Sequence, residues 1–215
     1  MRIDPRLLTL TQWLSPSYPV GSFAFSHGLE AAVAAGWVTD ADSLQEWLQD
    51  TLQYGSGRAD AAWIWRAYEA QDHKDVLALD AMARAFAPSA ERLREASRQG
   101  QAFRRITADV WQIDLPDLLF PVALGWAAKQ VTLDPEATAV LYLQAFLSNL
   151  TSAAQRLMPL GQTPAQQVLS QLNPLCIHVA QKSQNIAPQD ITSSAFLSDI
   201  AAMQHETQEP RLFQS

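Results

Sequence analysis

Apolar residues recur along most of the chain with the period of a helix. Leu44, Trp47, Leu48 and Leu52 fall at i, i+3, i+4 and i+8, one face of an amphipathic helix. Ser43 and Glu46 before and within that face read as a capping box, with Ser43 as N-cap, and Gly55 and Gly57 read as its end. Ala61, Ile64, Trp65 and Tyr68 repeat the pattern, followed by Val76, Leu79, Ala83 and Phe86. From Ser89 to about Trp111 a more polar helix carries Leu93, Ala96, Gly100, Phe103, Ile106 and Val110 along one side. Asp134-Pro135-Glu136 is a helix start, with an N-cap acid, proline at the first position and an acid in the first turn. The run that follows, ATAVLYLQAFLSNLTSAAQRL, is apolar nearly all round and predicts the central, most buried helix. Thr163-Pro164 opens another helix, in which Pro174 predicts a kink or a break. A last helix is expected near Pro188 to Met203, ahead of the tail HETQEPRLFQS.

No Asn-Gly or Asp-Gly turn joins alternating segments, and no repeat of fixed period is visible. The fold class is therefore all-α: a single compact domain of about nine or ten helices over residues 1–205, with a flexible C-terminal tail over 206–215. A length of 215 residues suits one sizeable core. Seven tryptophans suggest that some aromatic surface is exposed for partners.

Charge narrows the function classes. The formal net charge is −7 and the longest basic run is Arg104-Arg105, which argues against nucleic acid as a partner. The first twenty residues lack a clean apolar segment with a cleavage site, and no stretch is long and apolar enough to span a membrane. One cysteine, Cys176, cannot form an internal disulfide, and the expected compartment is the cytoplasm.

Catalytic fingerprints are missing from the sequence: no phosphate-binding glycine loop, no dinucleotide fingerprint and no nucleophile elbow. HETQE at 205–209 starts like a zinc-protease motif, but Glu209 stands where the second histidine must be. Cys176 and His178 are two apart, so on a helix they face different sides. His27 and His73 read as isolated surface or helix-end histidines. Glu91 and Glu95 lie among Arg92, Arg94 and Arg98 and read as a solvated, ion-paired face, with a partner-docking face as the alternative. No catalytic, cofactor-binding or metal site is assembled by these residues.

Three stretches remain. SPSYPVGSFAFSHGLE, residues 15–30, reads as a rigid helix corner: Pro19 restricts it, Gly21 permits a tight turn, Phe23 and Phe25 are expected inside, and Ser26 caps the next helix. The alternative is an exposed contact surface at Tyr18 or His27. RLMPLGQTPAQQ, residues 156–167, is a second compact turn between helices. In the tail, Arg211-Leu212-Phe213 sets a cation beside two large apolar residues, which dock either on the chain's own body or in a partner's groove.

These stretches resemble the UreF family of urease accessory proteins. Ser15-Pro16, Pro19-Val20-Gly21, Phe23 to Ser26, Gly28-Leu29-Glu30 and Gly36-Trp37-Val38 are similar to its N-terminal signature. ERLREASRQGQAF (91–103), SNLTSAAQRLMPLGQTPAQQ (148–167) and RLFQS (211–215) resemble its middle helix, its Arg-Leu-x-Pro-Leu-Gly-Gln element and its C-terminal ending. Gln214 departs from the arginine often found there, and GSGRADAAW (55–63) departs from the usual segment. The resemblance implies a nickel-insertion chaperone component with no cofactor of its own. It would bridge a UreD/UreH-type accessory protein to the GTPase UreG on apo-urease, as a homodimer within the complex, nickel and GTP being handled through the partners. Arg211, Leu212, Phe213, Gln214 and Ser215 would then bind the UreD/UreH-type protein. Arg156, Leu157, Pro159, Leu160, Gly161 and Gln162 would lie at the dimer or GTPase surface, and Pro19, Gly21, Phe23, Phe25, Ser26, Gly28 and Glu30 would be mainly structural. The competing readings are a helical enzyme with Cys176 as nucleophile and an unrelated helical regulatory module.

Overall fold

A computed structural model describes residues 4–215. Ten α-helices follow one another: α1 (Pro5–Trp13), α2 (Leu29–Ala34), α3 (Ala41–Tyr54), α4 (Ser56–Glu69), α5 (His73–Phe86), α6 (Ala90–Trp111), α7 (Phe120–Gln130), α8 (Pro135–Leu157), α9 (Gln162–Ser183) and α10 (Phe196–His205). Short 3-10 turns at Ser22–Ala24 and Pro188–Asp190 interrupt the connections, and no strand occurs among the described residues. The all-α expectation holds.

The centre of the molecule is α4 against α7. Every residue from Phe120 to Ala128 is buried, so α7, not the predicted α8, is the most enclosed helix. Its sequence, FPVALGWAAKQ, has no polar face and so no amphipathic period to announce it. Gly125 lets the two helices touch: a Cβ there would lie 2.3 Å from the Ile64 carbonyl oxygen. The same device brings α6 onto the segment before α7, where a Cβ on Gly100 would lie 2.0 Å from the Leu118 carbonyl. Around these contacts runs an aromatic chain, with Trp13 edge-on to Phe103 at 5.3 Å and Phe103 to Phe120 at 5.5 Å. Trp65 buries its indole and donates to the Ala180 carbonyl at 2.9 Å, tying α4 to α9. Trp37 alone among the tryptophans is exposed, so the ring surface left to solvent belongs mostly to Phe23, Phe196 and Tyr54.

Several boundaries differ from the sequence reading. Helix α3 starts three residues earlier: Asp40 is the N-cap, and Ser43 sits at the third position and answers it through its hydroxyl. Gly55 separates α3 from α4, but Gly57 lies inside α4. Helix α9 runs unbroken through Pro174. Pro188 heads a 3-10 turn, and the last helix begins only at Phe196. Val110, counted on the apolar side of α6, is 61% exposed because the apolar stripe ends a turn earlier.

Candidate functional site

The corner at residues 15–30 is built on left-handed backbone. Gly21 (φ 76°), His27 (φ 59°) and Gly28 (φ 78°) all lie in that region, which favours glycine and strains other residues. Gly28, not Ser26, occupies the N-cap of α2. Ser26 stands two residues before it and accepts the Glu30 N–H on its hydroxyl at 3.3 Å. Phe25 is buried as expected, whereas Phe23 is 72% exposed, because the turn at Ser22–Ala24 aims it outward. Pro19 is exposed and Gly21 half-buried, while Tyr18 and His27 are buried, which rules against the alternative of an exposed contact surface there. Tyr18 shares a hydrogen bond with Thr107 at 2.7 Å. His27 sits 2.6 Å from the Ser56 hydroxyl and edge-on to Phe146.

From the other side α8 braces this corner. Asn149 donates to the Phe25 carbonyl at 3.3 Å and Arg156 to the Phe23 carbonyl at 3.0 Å. Spaced by seven, the two side chains lie on one stripe of α8. Beyond Arg156 the turn leaves Pro159, Gly161 and Gln162 exposed and Leu157 and Leu160 half-buried, with Gly161 preceding α9.

The chain's last residues are seated on the corner. The Ser26 N–H donates to the Ser215 carbonyl at 2.7 Å, joined by the Ser26 hydroxyl, and the Gln214 N–H donates to the Ala24 carbonyl at 2.9 Å. Glu30 accepts the N–H groups of Leu212 (2.6 Å) and Phe213 (2.9 Å) on its two carboxylate oxygens. Phe213 is buried, Ser215 is buried and donates to Glu95 at 2.7 Å, and Arg98 donates to Gln214 at 2.5 Å. Arg211 donates to Glu91 at 2.6 Å. Leu212 is left 57% exposed, the one large apolar side chain the tail turns outward.

Glu91 and Glu95 are therefore not the solvated face that their spacing suggested: both are buried, and with Glu30 they form an acidic seat for the tail. His205, at the end of α10, lies fully buried between Glu91 (2.7 Å) and Glu30 (3.1 Å). Glu206 accepts the Ala90 N–H at 2.7 Å and so closes the start of α6. A signal for this was present. Arg92, Glu95, Gln99, Phe103 and Thr107 continue one buried stripe of α6 at helical spacing, polar residues replacing apolar ones.

Beneath the seat, Asp60, Arg92 and Glu95 line a cavity of about 260 Å³ walled by Trp13, Phe120 and Tyr142. Burial pushes Glu95 up, but the Arg92 guanidinium and the His27 ring override it and hold the carboxyl down to about 2. Burial, then the charge of Arg92, lowers His27 to about 4. Burial likewise raises Asp60 to about 6, against the opposing pull of Arg92 and the Tyr142 hydroxyl, which donates to Asp60 at 2.6 Å.

Cys176 is buried and has no histidine partner among the described residues; burial pushes its thiol up to about 11. His178 points to solvent. That is the environment of an inert thiol. No group of three or more His, Cys, Asp or Glu side chains among the described residues is arranged to hold a metal ion. No helix among them is long and apolar enough to cross a membrane.

The UreF family profile matches residues 38–173. The urease accessory protein UreF of Ruegeria pomeroyi is 48% identical over 212 residues, which is 99% of this chain and 98% of that one. That of Roseobacter denitrificans is 47% identical, over 97% of this chain and 93% of its own length. That of Rhodopseudomonas palustris is 41% identical, over 97% and 91%.

Proposed function

The chain belongs to the UreF family of urease accessory proteins, and from that premise we propose that it is a non-catalytic scaffold for loading nickel into urease. On this reading it acts in the cytoplasm. It joins a UreD/UreH-type protein to the GTPase UreG on apo-urease, and works as a homodimer in that assembly. It favours one nucleotide state of the GTPase, so that hydrolysis and release of the metal are coupled. GTP and nickel are the partners' substrate and cargo.

One observation carries the reading: the tail is held by its backbone on Glu30 while Leu212 faces outward and Arg211 stays partly open. A segment gripped in this way presents an apolar anchor at low entropic cost to whatever binds it. Phe213 and Ser215 serve the seat, and Arg211, Leu212 and Gln214 form its outer face. Arg156 to Gln162 flank this surface and are assigned to the dimer or GTPase contact.

Reconstitution tests the proposal. Apo-urease, nickel, GTP and the other accessory proteins are combined with and without this chain, and with a variant lacking residues 206–215. Activation that requires the full chain, with loss of UreD/UreH-type capture on truncation, is the expected result. Equal activation without the chain overturns the function; undiminished capture by the truncated variant overturns the tail assignment alone.

A further inference from the structure

We infer that the outer face of α6 is a docking strip for a carboxylate-bearing surface of a partner protein. Arg94, Arg98, Gln101 and Arg105 are exposed at i, i+4, i+7 and i+11, a single line along the helix. At 1.5 Å per residue the line is about 16 Å long. Arg104 stands beside it, and Arg98, Arg104 and Arg105 wall a shallow groove of about 630 Å³ floored by Ala102 and Ala108. Helix α6 carries five of the chain's fifteen Lys and Arg residues, in a chain of net charge −7.

The carboxylates nearest Arg94 and Arg98 are turned away from the strip, while Asp109 and Asp117 flank its far end, where Gln101 donates to Asp117 at 3.4 Å. Glu91 and Glu95 are buried, engaged with Arg211 and His205 and with Arg92 and Ser215 respectively. Arg94 reaches Glu91 only at 4.0 Å. Arg98 donates to the uncharged Gln214, and Arg104 to the Leu115 carbonyl at 2.6 Å. Arg105 has neither hydrogen bond nor ion pair among the described residues. A guanidinium offers five donors in a planar fork that matches a carboxylate. The three exposed guanidiniums of the strip outnumber the two aspartates beside it and keep donors that no carboxylate takes up closely.

Its shape selects the occupant. Guanidiniums one helical turn apart meet side-chain carboxylates with the same spacing on a partner helix. A nucleic-acid backbone would lay continuous phosphate along the groove and so against Asp109 and Asp117, whereas carboxylates placed one helical turn apart can meet the guanidiniums and miss the aspartates. Through Arg98 and Gln214 the strip is continuous with the tail, so exposed Leu212 supplies an apolar anchor at its edge. Such a strip acts chiefly on the rate of encounter and on register. Naming the acidic surface as that of a urease-maturation partner rests on the function proposed above; the strip itself does not.

The test uses the full chain and its R94Q/R98Q/R105Q variant, whose helix content is checked by circular dichroism. A fluorescein-labelled helical peptide with glutamates at i, i+4, i+7 and i+11 is titrated by anisotropy, alongside its glutamine counterpart and a single-stranded oligonucleotide. The glutamate peptide is expected to bind the parent chain, to weaken as salt shortens the Debye length, and to bind the variant about tenfold less tightly. Equal binding by the variant, or equal binding of the two peptides, overturns the inference. Preference for the oligonucleotide does so too, by assigning the strip to phosphate. In the reconstituted assembly the variant is expected to associate about tenfold more slowly with its partners at low salt. If the parent chain fails to assemble there but the peptide result holds, the proposed function falls and the strip stands.

Discussion

The guanidinium of Arg156 lies over the ring of Phe213, 4.2 Å from its centroid. Two stretches 57 positions apart in the sequence thereby become one surface, and the same arginine also holds the corner through the Phe23 carbonyl.

Phe213 and Phe23 are expected to respond very unequally to truncation. Phe213 is 3% exposed and Phe23 72%. Phe213→Ala should cost about 3 kcal/mol, and Phe23→Ala less than about 0.5 kcal/mol, in urea denaturation. Equal costs would mean that the tail is not seated.

Glu30→Gln sets an amide against donors that now meet carboxylate oxygens, those of Leu212, Phe213 and His205. A loss of about 1–3 kcal/mol is expected. Hydrogen exchange should show where it is felt: amides of residues 206–215 become faster while those of α4 and α7 keep their protection. Unchanged tail amides would sink this account of the seat.

The buried ionisable groups predict an unusual pH dependence. His27 falls from 6.5 to about 4, so the folded state binds fewer protons over that interval and stability rises with pH through it. Asp60 rises from 3.8 to about 6, so the folded state retains a proton and stability falls with pH from about 4 to 6. The two slopes oppose, and stability should be nearly flat across that window. Asp60→Asn removes one of them, and its unfolding free energy should then climb by roughly 2–3 kcal/mol from pH 4 to 6.5. Below about 4.5 the stabilisation held by ionised Glu95 is lost progressively as pH falls toward 2. Urea denaturation at stepped pH measures all three.

Gly100→Ala places a methyl 2.0 Å from the backbone at Leu118, which cannot rotate aside. A loss on the order of 1–3 kcal/mol is expected. Gly21→Ala meets nothing within 4 Å and carries only the strain of φ 76°, about 1 kcal/mol. Thermal melts of the two variants should rank them in that order.

What the sequence made legible follows amphipathic contrast. Helices α3, α5 and α6 and the proline-headed α8 were readable because polar and apolar positions alternate with the helical period or because capping residues mark the start. Helix α7 was not, since a segment enclosed on every side has no contrast. The seat failed to appear for a related reason. Glu91 and Glu95 beside three arginines follow the pattern of a solvated face, and they are buried by groups distant in sequence: the tail 120 residues on, His205 against Glu91 and His27 near Glu95. Phe23 left its expected place inside because a left-handed turn at Gly21, which periodicity does not encode, decides which ring points inward.

The hydrogen bond from Ser26 to Ser215 also sets a clock on synthesis. Its two ends are 189 residues apart, and at about 5–20 residues per second a ribosome needs roughly 10–40 s to make the second after the first. Glu91 and Glu95 are made partway through that interval, and until the tail follows, the contacts of Leu212, Phe213 and Ser215 with Glu30 and Glu95 are unmade. The corner and the outward Leu212 are therefore finished together, in one late step.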